Sequence, residues 1–290
     1  MTASVAVLNL LLGVVYLLIG TMIVTELLRD RRELGFSHFG LAFVALAFTC
    51  GPHHLTHGIH LAAEGGTGGA LDLIAVAVGL PAGAIWVALR FEAFRGGRGD
   101  RFISGTPGWL MITPTVAGMY VTALGAGAIA AAGGMVEPSP GVLAGTILVG
   151  LYAAVAYFLV RTQIANRRPL GGWSLSGLAL AAIFVTCALM HAIYSFYVLN
   201  GLYPADAHLL VIQWISVPAA MYFLWVVHSL YRGSFHDWNG APGAARQAVR
   251  RSGPTGGGVG VPLPGPAGLA ESPALAVGDT SLDARTSARS

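Results

Sequence analysis

The sequence predicts an all-α polytopic membrane protein with seven transmembrane helices, laid out as three helices, one linker helix and three helices. Three observations predict it. Hydrophobic residues make up 55% of the 290-residue chain and charged residues only 10%, a balance outside the range of soluble domains. Apolar runs long enough to cross a bilayer recur along the chain. Two stretches 137 residues apart spell nearly the same thing: Gly40 to His54 reads GLAFVALAFTCGPHH, and Gly177 to His191 reads GLALAAIFVTCALMH.

The first run, about 4–27, has no basic residue before it and no cleavage site after it, so it reads as a true span and not as a signal peptide. Near its end, Glu26 and Arg29 are spaced for an i, i+3 surface pair. The second run, about 38–62, carries Cys50, Pro52, His53, His54, His57 and His60. The third, about 70–91, contains Pro81, and the fourth, about 108–133, is dense in glycine and alanine, which suits close helix approach. The fifth covers about 141–164, the sixth about 173–199 with Cys187 and His191, and the seventh about 207–231 with Pro218. Pro81 and Pro218 occupy matching positions, where a freed carbonyl kinks a helix in both halves or supplies a paired hinge. From Gly233 onward glycine, proline, alanine and serine prevail, with too little apolar content for a core.

The domain reading is therefore a transmembrane domain over 1–232, with repeat A at about 4–96, the linker helix at about 108–133 and repeat B at about 141–233, followed by a disordered cytoplasmic tail over 233–290. The repeat register runs without a gap from Arg31/Arg168 through Ser37/Ser174, Cys50/Cys187, His54/His191 and Pro81/Pro218 to Gly96/Gly233. A weaker match, Arg31 to Gly35 against Arg167 to Gly171, reaches back to the first and fifth spans. Two three-helix units joined directly would be inverted in the membrane, so a linker helix restores the same orientation and makes this a parallel repeat. In layout alone this resembles the SWEET and PQ-loop transporters and the seven-helix opsins; opsins need a lysine, which this chain lacks, and no functional residue carries over.

Arginine position sets the expected orientation. The loops with Arg29, Arg31 and Arg32, then Arg90, Arg95, Arg98 and Arg101, then Arg161, Arg167 and Arg168, and finally Arg232 and the tail alternate with loops that hold Glu64, Asp72, Glu137 and Asp206 and no arginine. The positive-inside rule puts the amino terminus outside and the carboxyl terminus in the cytoplasm, in the cell membrane. The formal charge of +3 comes from arginine alone, and the absence of lysine excludes a retinal or pyridoxal Schiff base. Nothing in the charge pattern suggests nucleic acid as a partner; the lipid bilayer and a small ion or solute are the expected ones.

The chemistry-bearing residues lie in the second and sixth spans. At about 100° per residue, His53, His57 and His60 form one stripe and Cys50, His54 and His57 an overlapping one. That face is expected to avoid lipid. The sixth span repeats Cys187, His191 and Tyr194 at the spacing of Cys50, His54 and His57. The symmetry puts both cysteines near mid-bilayer, with His54 and His191 about 6 Å further out.

Three readings follow. In the first, Cys50, His53, His54, His57, His60, Cys187 and His191 are candidate ligands for a transition metal, copper, zinc or iron, with His54 and His191 alternatively the axial pair of a haem. In the second, the histidines form a proton or solute pathway that opens outward only. In the third they are a structural polar core. Hydrolytic zinc chemistry would want a nearby acid, and the nearest, Glu64 and Asp72, lie at the outer mouth; enzyme activity stays open at this point.

Overall fold

The computed structural model describes residues 1–64, 69–105, 139–199, 207–234 and 237; the expected linker helix over 108–133 and nearly all of the expected tail lie outside them. Among the described residues there are six helices: α1 (Thr2–Leu34), α2 (His38–Glu64), α3 (Ala70–Phe94), α4 (Pro140–Asn166), α5 (Leu175–Leu199) and α6 (Ala207–Tyr231). Each is long and apolar enough to cross a membrane, with mean hydropathy from 1.2 in α2 to 2.5 in α1. Val7, Leu11, Val14 and Leu18 form an exposed stripe along α1, as Val211, Trp214, Ile215 and Met221 do on α6. Such outward apolar faces belong in a lipid bilayer, where they carry no hydration cost.

Six of the seven expected spans are therefore helices, with two boundaries moved. Helix α1 runs on to Leu34, because Arg31 and Arg32 sit favourably in its last turn and Gly35, at φ 76°, supplies the left-handed residue that stops it. Helix α5 starts at Leu175, because Trp173–Ser174 (β2) pairs antiparallel with Phe102–Ile103 (β1), Phe102 opposite Ser174 and Ile103 opposite Trp173. The Leu175 N–H continues the ladder to the Arg101 carbonyl at 2.8 Å. Two-residue strands carry no readable period.

Helices α1 and α2 form an antiparallel hairpin that approaches at glycines. A β-carbon on Gly13 would sit 2.7 Å from Leu55, and one on Gly58 would sit 2.9 Å from the Ala6 carbonyl oxygen. Helices α4 and α5 pack the same way, Gly145 lying against Ser195 and Tyr152 against Phe184. Helix α3 lies along α1, and α6 along α4. The halves meet where α2 packs on α6 and α5 on α3, so each of these helix contacts has a counterpart among the described residues. Helices α2 and α5 are the most enclosed, with 61% and 67% of their apolar windows buried.

The same device starts both central helices. Ser37 accepts the Gly40 N–H at 2.9 Å and donates to Asp237 Oδ1 at 2.6 Å, while the Phe39 N–H donates to Asp237 Oδ2 at 2.9 Å. Ser174 accepts the Gly177 N–H at 3.0 Å and donates to Asp100 Oδ2 at 2.6 Å, while the Ser176 N–H donates to Asp100 Oδ1 at 2.9 Å. Each serine satisfies a free helix N–H and each carboxylate meets the positive end of the helix dipole. Asp100 and Asp237 are themselves 137 residues apart. Asp237, assigned by sequence to the tail, is buried and tied to α2.

All arginines among the described residues fall at one end of the bundle, where α1, α3, α4 and α6 finish. Towards that end the buried rings of Phe39, Phe43, Trp86, Phe184 and Phe223 pack into an aromatic plug between α2, α3, α5 and α6: Phe43 stacks on Trp86 at 4.6 Å and Phe184 on Phe223 at 5.0 Å between centroids.

Candidate intramembrane site

Above this aromatic plug, on the side of the arginine-free end, α1, α2, α4 and α5 bring together a polar cluster. Cys50 and Cys187 are both free and buried, and close enough to interact with one another. Each thiol also meets a tyrosine from the other half: Tyr16 Oη lies 3.0 Å from Cys187 Sγ, and Tyr152 Oη 3.3 Å from Cys50 Sγ. The two tyrosines are 136 residues apart, the same offset as Arg31 and Arg167. The cross-connection is reciprocal: the first helix of each half holds the cysteine of the other.

One turn further from the plug stand the imidazoles. His54 Nδ1 is 2.8 Å from Asn9 Oδ1, and its ring stacks on Tyr16 at 5.5 Å. The His191 ring lies 5.5 Å from that of Tyr152 and 5.2 Å from that of His53, which in turn stands 5.9 Å from His54. Within this tight group the Nδ1 atoms of His53 and His191 have no hydrogen-bond partner among the described residues. His57 is buried on the next turn and His60 is partly exposed beyond it. At the arginine-free mouth the Asp72 carboxylate accepts the Gly69 N–H at 2.9 Å, and a β-carbon at Gly69 would collide with the Tyr197 hydroxyl.

The structure thus brings together Cys50, Cys187, His53, His54 and His191, keeps His57 beside them, and puts His60 beyond His57, partly exposed. Among the described residues no three His, Cys, Asp or Glu side chains are arranged to hold one metal ion. Tyr16 and Tyr152 escaped the sequence reading, since a tyrosine in an apolar helix carries no spacing signal. The shared offset of Tyr16/Tyr152 and Arg31/Arg167 was the clue available.

Glu26 corrects another expectation. It is buried, and pairs with Arg90 of α3 instead of forming a surface pair with Arg29. Arg29 turns to Asp30, 2.9 Å away. The Arg90 guanidinium also lies over Trp86, 5.5 Å from its ring, so this ion pair underlies the aromatic plug. The reason is tertiary: α3 lies along α1 and offers Glu26 a cation shielded from water, where attraction is stronger than at an exposed surface.

No known protein family, curated protein or solved structure matches the chain. The chain is an all-helical protein whose described helices fit a multi-pass membrane protein.

Proposed function

We propose that this is a multi-pass protein of the cell membrane, built from two copies of a three-helix unit, that binds one soft transition-metal ion, copper(I), between His53 and His191. Two unpartnered Nδ1 atoms on buried rings 5.2 Å apart carry this reading. A buried polar atom without a partner costs several kcal/mol in a bilayer, and a shared ligand removes both penalties at once. For each Nδ1 to accept a ligand, the ring must carry its proton on Nε2.

The donor chemistry selects among the metals. Zinc takes four ligands in a tetrahedron, and no three of these residues converge on one point among the described residues. Copper(I) accepts two, is monovalent and so costs less to desolvate, and tolerates imidazole with soft sulfur nearby. Cys50 and Cys187 lie one turn below, the next donors in line. A haem between His54 and His191 would have to displace His53, which lies against both rings.

The aromatic plug closes the route towards the arginine-rich end, which the positive-inside rule assigns to the cytoplasm. The ion therefore loads from outside, which suits a copper receptor or the outward-facing state of a transporter. Anaerobic titration of purified protein with copper(I) against a chromogenic chelator tests this. One ion is retained per chain by the wild type and lost in His53→Ala and in His191→Ala, while His60→Ala retains it. A wild type that yields all copper to the chelator overturns the reading.

A further inference from the structure

Among the described residues, four more buried polar atoms of the second half lack a hydrogen-bond partner: Trp173 Nε1, at the start of the half near the arginine-rich end, and Ser195 Oγ, Gln213 Oε1 and Gln213 Nε2 towards the other end. The latter three continue a line that begins at His191. Ser195 follows His191 by one helical turn on α5, so both occupy the same face. A β-carbon at Gly145 of α4 would strike Ser195 Oγ at 2.5 Å and approach the His191 carbonyl oxygen at 3.7 Å. One turn along α4, a β-carbon at Gly141 would lie 3.8 Å from Gln213 Oε1 and 3.9 Å from Ser139 Oγ. Ser139 caps α4 at the arginine-free end through the Val142 N–H, 3.3 Å away. The line therefore runs Ser139, Gln213, Ser195, His191, with His53 beyond.

Comparison of the halves shows what this line replaces. In the α1/α4 register that pairs Tyr16 with Tyr152, Asn9 corresponds to Gly145; in the α2/α5 register, Gly58 corresponds to Ser195. The first half fills this place with Asn9, whose amide oxygen partners His54 and whose amide nitrogen donates to the Val5 carbonyl at 2.9 Å. The second half has a glycine there, so His191 loses the partner that His54 keeps. Gln213 corresponds to Val76, so an apolar position in the first half has become polar in the second. Of these three linked differences, two add hydrogen-bonding atoms, at Ser195 and Gln213, and the third removes the amide that would have satisfied His191.

Orphaned buried polar groups in a native protein are satisfied by water or a ligand. We infer that α4, α5 and α6 enclose a hydrated access route from the arginine-free end, along Gln213 and Ser195, to His191, through which water and a small hydrophilic cation reach the imidazole pair. The identity of the cation rests on the copper reading above; the route does not. Its path lies in the half opposite the His57 and His60 ladder.

The test is thiol accessibility in the full chain with Cys50→Ala and Cys187→Ala, in sealed vesicles of either orientation, without metal. Ser195→Cys and, separately, Gln213→Cys are exposed to a membrane-impermeant cationic methanethiosulfonate reagent. Ala70→Cys reports the arginine-free end and Arg98→Cys the arginine-rich end. Both test cysteines are expected to react only from the side that labels Ala70→Cys. Protection of both from either side while the two controls react, or labelling from the Arg98→Cys side, overturns the route. Because no metal is present, this result stands or falls separately from copper binding.

Discussion

The hydroxyl of Tyr16 lies 3.0 Å from the sulfur of Cys187, joining the first helix of one half to the central helix of the other. Tyr16→Phe removes this bond while keeping the ring against His54, and is expected to lower stability by about 1 kcal/mol. A double-mutant cycle with Cys187→Ala should show coupling of similar size, read from unfolding in mixed micelles. Additive losses would mean that the contact contributes nothing.

Asp237 and Asp100 make the same cap on α2 and α5, so their loss should have similar effects. Asp237→Ala and Asp100→Ala are each expected to cost about 1 to 2 kcal/mol, the range for removing a helix N-cap. Truncation after residue 232 should cost at least as much as Asp237→Ala, since it also removes the Ser234 bonds to the Ser229 carbonyl at the end of α6, whereas truncation after residue 240 should leave thermal stability unchanged. If truncation after 240 destabilises as much as truncation after 232, Asp237 is not the anchor.

Glu26 and Arg90 are both buried and pair with one another, so removing one takes from the other a buried counter-charge. Arg90→Met alone is expected to destabilise by about 3 to 5 kcal/mol, and the double change Glu26→Leu with Arg90→Met to recover most of that. The measurement is thermal unfolding followed by size-exclusion recovery. Equal losses for the single and double variants would refute a buried pair.

The site's shared foundation was legible in the sequence and its wiring was not. The Cys50/Cys187 and His54/His191 register, and the stripe formed by His53, His54 and His57, follow from counting along helices. The residues that complete the cluster, Tyr16, Tyr152 and Asn9, come from neighbouring helices, and their contacts depend on helix rotation. Ser195 and Gln213 gave no signal, because one serine or glutamine in an apolar span ordinarily faces another helix. Their lack of partners among the described residues is a property of the packed bundle.

The sequence by itself determined the membrane setting, the six described helices to within a few residues, the arginine asymmetry and the positions that share a helix face. These are one-dimensional properties, fixed by hydropathy and by a constant helical twist. Only the tertiary structure decided that Glu26 meets Arg90 rather than Arg29, that His53 stands between His54 and His191, and that each tyrosine reaches across to the other half's cysteine. Such pairings need the rotation and sliding of one helix against another, set by close packing at Gly13, Gly58 and Gly145 and summed over the whole bundle.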